Sequence, residues 1–456
     1  MTTKKNQTLI KDLTTGPVLQ QLLWFAVPIM LSNLLQTAYN MSDMVIIGQF
    51  AGSTGLSSVS VGGDVLHFFM FLGMGFSTAG QIIVSQYVGA GKRKELNTVI
   101  GTMFSSILIL SVVLTVLSLL LADPLLHVLH APAEAEQGAR DYILCCSAGL
   151  VFTLGYNMVS AILRGMGDSR HPMIFVAIGT IFNIGLDLIM VAVLRMGAFG
   201  AALATVISQG ISLVLSLAYL YRNKVAFCFD FKLSSFRPDS RIIGLMIRLG
   251  IPIAIQTSAS SLSAMYVSSH VNTYGVVASA VTGVGLRLSN LALIVANSMN
   301  VSSSAMVGQC FGAGKMERIR QSFWRVFIVD FVFVTILSII ILLFPAFVFG
   351  LFNRDAGVLE MAKLYAPVAA ITFMGFSVRS PSLGFINGLG HSKMNFWMGV
   401  VEGFILRIGL TYLMGIVLGM GIQGFWYGSA IASYGYGLVV WPYFLSGKWE
   451  QRKMRA

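Results

Sequence analysis

Charged residues are scarce in this chain, and their scarcity points away from a soluble protein. Only 11% of the 456 residues are charged and 56% are hydrophobic, whereas soluble domains carry roughly 25% charged residues. A chain this apolar cannot cover a surface that faces water. The composition therefore predicts a protein whose outer face contacts membrane lipid.

Cysteine and histidine are also rare. The four cysteines, Cys145, Cys146, Cys228 and Cys310, show neither CxxC nor zinc spacing, so they predict no disulfide framework and no metal centre. With six histidines in no nucleophile pattern, an enzyme is not expected, and no cofactor is implied. The net charge is +12, but the basic residues lie between the apolar runs and form no basic stripe with interleaved aromatic residues. This distribution argues against a nucleic-acid partner.

Long apolar runs fill the rest of the chain. A transmembrane helix needs about 20 apolar residues. The first run is longer than the apolar core of a signal peptide, so we expect it to remain as the first span. Twelve spans are predicted at residues 19–48, 54–88, 96–122, 139–163, 171–194, 198–221, 243–270, 276–308, 319–349, 360–387, 394–418 and 421–446. The predicted fold class is an all-α membrane protein.

Lysine and arginine concentrate in alternate loops. Lys92–Lys94 and the stretch from Arg222 to Arg241 are typical of the basic side, and so are both ends of the chain, with Lys4, Lys5, Lys453 and Arg455. Because basic loops stay in the cytoplasm, this bias predicts a multi-pass protein of the cell membrane with both termini cytoplasmic.

The chain also repeats itself at a nearly constant spacing. The matching pairs are Gln86–Lys92 with Gln309–Lys315 and Gly165–Arg170 with Gly388–Lys393, both 223 residues apart, and Pro28 with Pro252 and Met196–Gly200 with Met420–Gly424, both 224 apart. Six spans per half is an even number, so the halves share one orientation and are expected to be related by a pseudo-two-fold axis along the membrane normal. The predicted domains are a lobe at 1–221, a cytoplasmic linker at 222–242 and a lobe at 243–456.

A few oxygen-bearing residues lie inside the first-lobe spans. Asn183 and Asp187 are four residues apart and share one helical face; Asp43 and Thr205 are expected at similar depth. Two carboxylates in a poorly hydrated pocket cannot both ionise at low cost, so this set suits a proton or Na⁺. The alternative is that Asp43 only touches the outer interface and Asp187 is a hydrogen-bonded structural acid.

This group of polar residues occurs in only one half of the repeat. The repeat spacing gives the counterparts of Asp43, Asn183 and Asp187 as Val267, Leu406 and Leu410. None of the three counterparts is acidic, so we interpret the first lobe as the one specialised for ion coupling.

Other charged residues inside spans suggest further roles. Asp64 corresponds to Arg287, and the two could pair across a cleft between lobes or find partners within their own lobes. Arg379, Glu402 and Arg407 are candidates for a polar wall facing substrate. Glu402 and Arg407 are five residues apart, a spacing imperfect for one α-helical face, so a direct pair between them is not expected.

Several of these segments resemble the multidrug and toxic compound extrusion (MATE) family over nearly the whole chain. The resemblance rests on Pro28 and Pro252, the Gly-Ala-Gly-Lys turns, the Arg164–Ser169 turn, the Asn40–Asp43 segment and the Phe182–Asp187 segment. It implies cation-driven antiport, with Asp43, Asn183, Asp187 and Thr205 at the matching coupling site. The chain looks closer to the DinF-like bacterial branch than to the NorM branch, which carries acids near the positions of Ser260 and Arg379.

The expected function is therefore H⁺- or Na⁺-coupled export of an organic, cationic or amphipathic small molecule by a monomer that rocks between two access states. One alternative is a lipid-linked saccharide flippase of the same superfamily. Another is a membrane receptor or scaffold that transports nothing.

Overall fold

The computed structural model describes residues 10–129, 131–452 and 454. Within these residues the chain is helical, with no strand. In the described part of the chain, ten helices are long and apolar enough to cross a membrane, and a bent pair of helices raises the number to eleven. The predicted all-α membrane fold is confirmed. The terminal residues Lys4, Lys5, Lys453 and Arg455 lie outside the described residues.

The helices follow the predicted spans closely. The first half contains α1 (Val18–Phe50), α2 (Gly52–Gly89), α3 (Arg93–Val128), α4 (Ala133–Ala148), α5 (Leu150–Gly165), α6 (Arg170–Asp187) and α7 (Gly197–Arg222). The second half contains α8 (Ser240–Asn272), α9 (Val276–Gly312), α10 (Met316–Leu343), α11 (Pro345–Gly350), α12 (Ala356–Gly388), α13 (Ser392–Gly399), α14 (Gly409–Tyr412), α15 (Gly421–Ala432) and α16 (Gly435–Leu445). Short 3₁₀ turns lie at Leu233–Phe236 and Lys448–Gln451.

Three of the predicted spans are interrupted. The span predicted at 319–349 is broken at Phe344, between α10 and α11. The span predicted at 139–163 is the pair α4 and α5, bent by 48°. At the bend, Gly149 approaches α7 so closely that a Cβ would lie 2.4 Å from a methyl of Val206. The span predicted at 421–446 is the pair α15 and α16, because the chain turns at Ser433 and Tyr434.

Three segments of π-helix interrupt the α-helices. Leu188–Val193 continues α6, Val400–Ile408 joins α13 to α14, and Leu413–Val417 follows α14. In a π-helix the hydrogen bonds join residues five apart instead of four, and such segments are often found at functional sites. Two of the three directly follow or contain a residue predicted to be functional.

The chain forms two compact units. The first comprises Val27–Ala254 with the residues before Leu13, and the second comprises Leu13–Ala26 with Ile255–Ala456. In the first unit α2 packs against α3, α4 and α5, and α7 packs against α4, α5 and α6. In the second unit α12 packs against α9, α10 and α15. The lobe and linker boundaries predicted from the sequence stay a prediction.

Part of the predicted linker packs on the first unit. Asn97 of α3 donates to Ser235 and accepts from the backbone N–H of Asp230. The ring of Phe104 stacks on that of Phe229, with centroids 5.7 Å apart. These contacts fix the linker against α3, although its composition is polar and basic.

Candidate functional site

The first unit buries three of the predicted coupling residues. Asp43 on α1 is 7% exposed, and Asn183 and Asp187 on α6 are 1% and 0% exposed. The spacing of four residues places Asn183 and Asp187 on the buried face of α6, while their neighbours Ile181, Phe182, Leu188 and Ile189 are exposed. One face of α6 therefore carries the polar groups and the other suits contact with lipid.

The two carboxyl groups of this site are neighbours and interact electrostatically. Ionised carboxylates repel each other and only accept hydrogen bonds, so the pair needs a proton or a cation to be stable. No described residue donates to Oδ1 of Asp43, to either oxygen of Asp187 or to Oδ1 of Asn183. These orphaned oxygens suit a cation better than the alternative of a hydrogen-bonded structural acid.

Thr205 on α7 reaches α1 through a residue that the sequence analysis missed. Its Oγ1 lies 3.1 Å from the hydroxyl of Tyr39, and either group can be the donor. Tyr39 is four residues before Asp43 and so lies on the same face of α1. That spacing is the signal that could have identified it. The described hydroxyl, carboxyl and amide groups come from α1, α6 and α7.

The π-helix Leu188–Val193 begins immediately after Asp187. Its wider turn leaves room in the backbone just beyond the carboxylate. The distortion occurs where two buried polar residues precede an exposed apolar stretch, and π-segments are frequent at such functional positions.

A second polar cluster lies in the second unit, and it corrects one expectation. Glu402 is completely buried and pairs directly with Arg407, although their spacing of five argued against a pair. Both residues lie in the π-helix Val400–Ile408, where hydrogen bonds join residues five apart and a spacing of five returns to the same face. The doubt was wrong because it assumed α-helical periodicity.

Other side chains extend this cluster. The hydroxyl of Ser260 on α8 donates to Glu402 Oε2 at 2.7 Å and lies 3.3 Å from the hydroxyl of Tyr436 on α16. Gln256 Nε2 donates to the same tyrosine at 2.9 Å. The guanidinium of Arg379 lies over the ring of Tyr436, 5.1 Å from its centroid. The predicted wall residues Arg379, Glu402 and Arg407 thus lie in one cluster, linked through Ser260 and Tyr436.

The predicted pair of Asp64 and Arg287 does not belong to either polar cluster. Both side chains are exposed, and Asp64 belongs to the first unit whereas Arg287 belongs to the second. An ion pair between them stays a prediction.

A family model labelled MatE matches this chain twice, at residues 28–189 and 252–413. The two matches together cover more than two thirds of the chain. The chain belongs to the MatE family. It is accordingly a membrane transporter and not an enzyme, which confirms the resemblance and the internal repeat.

Relatives and solved structures agree with this family. A Bacillus subtilis protein described as "Probable multidrug resistance protein YpnP" is 26% identical, over 97% of this chain and 98% of its own length. A "Probable multidrug resistance protein NorM" of Thermotoga maritima is 24% identical, over 95% of this chain and 93% of its own. The solved structure titled "Outward-facing conformation of a multidrug resistance MATE family transporter of the MOP superfamily" has a TM-score of 0.88 at 21% identity, with 99% of both chains covered; at that identity it shows the fold alone.

The double match also corrects the pairing of residues between halves. The two matched ranges end at 189 and 413, which are 224 apart. At that spacing Asp187 corresponds to Thr411, which is completely buried like Asp187, and not to Leu410. The π-helix Leu188–Val193 then corresponds to the one at Leu413–Val417, and the one at Val400–Ile408 has no described counterpart in the first half. The second half still lacks the acid.

Proposed function

We propose that this MatE transporter exports organic small molecules from the cytoplasm across the cell membrane, driven by inward movement of H⁺ or Na⁺. The names of its relatives support multidrug export. The coupling ion binds among Asp43, Asn183, Asp187 and Thr205. Both termini are cytoplasmic, as the distribution of basic loops indicates.

One observation carries this proposal: the buried carboxyl groups of Asp43 and Asp187 are neighbours, and no described residue donates to Oδ1 of Asp43 or to either oxygen of Asp187. A buried charge without a partner is costly, so the pair is stable only when a proton or a cation neutralises it. Ion binding therefore changes the relative free energies of the transporter's states, which is what coupling requires.

The driving force is adequate for export. A single positive charge that moves across the membrane gains about 2.3 kcal/mol per 100 mV. Since about 1.4 kcal/mol is a tenfold concentration ratio, each cation entering under about 100 mV can sustain an outward gradient of more than tenfold for a neutral substrate.

Purified protein in liposomes tests this proposal. Dye export is measured with an imposed H⁺ gradient and separately with an imposed Na⁺ gradient, which identifies the ion. Asp187→Asn should abolish gradient-driven export while leaving the protein folded. Asp123→Asn is the matched control, because Asp123 is an exposed acid of the same unit whose carboxylate pairs with Arg140 at the surface; it should transport normally. Full gradient dependence in Asp187→Asn would refute the coupling role.

A further inference from the structure

The polar cluster of the second unit carries an unbalanced positive charge. It contains two guanidinium groups, Arg379 and Arg407, but only one carboxylate, Glu402. Arg407 pairs with Glu402, and Ser260 donates to the other oxygen of that carboxylate. Both oxygens of Glu402 are therefore engaged, and within the described residues Glu402 forms no ion pair with Arg379.

Arg379 has no acidic neighbour among the residues that the structure describes. It forms no hydrogen bond and no ion pair with them, and its guanidinium lies over the ring of Tyr436. Its Nε is buried without an acceptor, and so is Nε of Arg407. Arginine cannot lose its charge in a protein, so one positive charge persists here in a membrane-embedded cluster.

The other buried acid of the unit does not balance this charge. Asp330 on α10 is 1% exposed and lies beside Ser380. It forms no ion pair with Arg379 or with any other described residue. No acid among the described residues therefore pairs with Arg379.

The N–H donors of the two arginines indicate which anionic groups could bind here. Guanidinium groups bind carboxylates and phosphates through paired N–H donors. Both arginines are only partly buried, so a bound molecule can reach them. The hydroxyl of Tyr436 accepts from Gln256 and, because Ser260 gives its only proton to Glu402, donates to Ser260, so it is already engaged within the cluster.

We propose that Arg379 and Arg407 form an anion-binding site that takes a carboxylate or phosphate group of the transported substrate. Two arginines and one glutamate leave a net charge of +1, so a monoanionic group neutralises the cluster. The assignment to substrate rests on the proposed export function. Of the two expected substrate classes, cationic and amphipathic, it favours an amphipathic molecule that carries a negative group.

Two ligands that differ only in this group test the proposal. Dansyl-glycine carries a carboxylate, and dansyl-glycinamide is its neutral amide. Binding is followed by dansyl fluorescence with the full protein in phosphatidylcholine nanodiscs. Because a hydrogen bond to a charged group contributes more than a neutral one, wild type should bind the acid about tenfold or more tightly than the amide.

Variants then assign the preference to residues. Arg379→Gln should remove the preference, because it lowers the affinity for dansyl-glycine and leaves the affinity for dansyl-glycinamide unchanged. Glu402→Gln should strengthen binding of the acid, because it removes the carboxylate that competes for Arg407. Arg354→Gln is the matched control, since Arg354 is an exposed arginine of the same unit, and it should bind like wild type.

Equal affinity of wild type for acid and amide would overturn the proposal, and so would an Arg379→Gln protein that retains the preference. Nanodiscs with phosphatidylglycerol separate two sources of the anion. Competition by this lipid with dansyl-glycine supports the site and assigns it to a lipid phosphate, whereas unchanged affinity supports the site and assigns it to a soluble anion.

Failure of this proposal can be told apart from failure of the export function. Asp187→Asn should keep the acid preference in binding while losing gradient-driven export. Normal export by Asp187→Asn, together with an intact acid preference, would refute the coupling role and leave the anion site standing.

Discussion

The two members of the Glu402–Arg407 ion pair should not be equally costly to remove. Glu402 is completely buried, whereas the Arg407 side chain is 14% exposed. Removing one partner of a buried pair costs about 3–5 kcal/mol, because a charge is left without compensation. Arg407→Met leaves such a charge on Glu402 with only the hydroxyl of Ser260 as a donor, so we expect the full cost.

Glu402→Gln should be milder. The glutamine carbonyl still accepts from one donor, and the partly exposed Arg407 can turn toward water. Exchanging a charge-assisted hydrogen bond for a neutral one costs about 1–2 kcal/mol. The double variant buries no charge at this position, so it should be more stable than Arg407→Met alone. The second substitution therefore rescues the first.

Unfolding in detergent micelles, followed by circular dichroism during denaturant titration, measures these differences. The exposed pair of Arg320 and Glu450, with side chains 48% and 40% exposed, is the control, and Arg320→Met should cost less than about 1 kcal/mol. A double variant no more stable than Arg407→Met would refute the reasoning, because it would mean that no buried charge had been left uncompensated.

Two further predictions concern the first unit. Tyr39→Phe removes the hydroxyl that contacts Thr205. Since a net hydrogen bond contributes about 0.5–1.5 kcal/mol, we expect about a threefold to tenfold rise in the ion concentration for half-maximal export. Unchanged ion dependence would contradict a role for Tyr39. Gly101→Ala places a Cβ 1.7 Å from the carbonyl oxygen of Ser235 and should lower the free energy of unfolding by about 1–3 kcal/mol. Gly63→Ala is the control, because no atom lies within 4 Å of the added carbon, and it should not lower this free energy. Equal stability of the two variants would contradict the prediction.

The long helices could be predicted because bilayer thickness fixes how many apolar residues a span needs. Asp43, Asn183 and Asp187 could be singled out because charged and amide groups are rare at membrane depth. These inferences need only composition and spacing along the chain. The bend between α4 and α5 could not be predicted, because it depends on the close contact of Gly149 with Val206.

The pairing of Glu402 with Arg407 was missed for a different reason. A helical interpretation with 3.6 residues per turn assigns residues five apart to different faces, and only the π-helix brings them together. The sequence does contain one sign of this π-helix. The spacing between the halves is 223 at Gly165 and Gly388 but 224 at Met196 and Met420, so the second half has one extra residue between those points.

That extra residue has an evolutionary consequence. A residue inserted into an α-helix turns everything beyond it by about 100°, which would direct Thr411 and its neighbours away from their packing partners. The π-helix Val400–Ile408 absorbs the extra residue within a widened turn, so the packing downstream keeps its register. The two halves of the repeat have thus diverged at this position: only the half with the π-helix Val400–Ile408 carries the Glu402–Arg407 pair, and the half with Asp187 is α-helical at the matching residues.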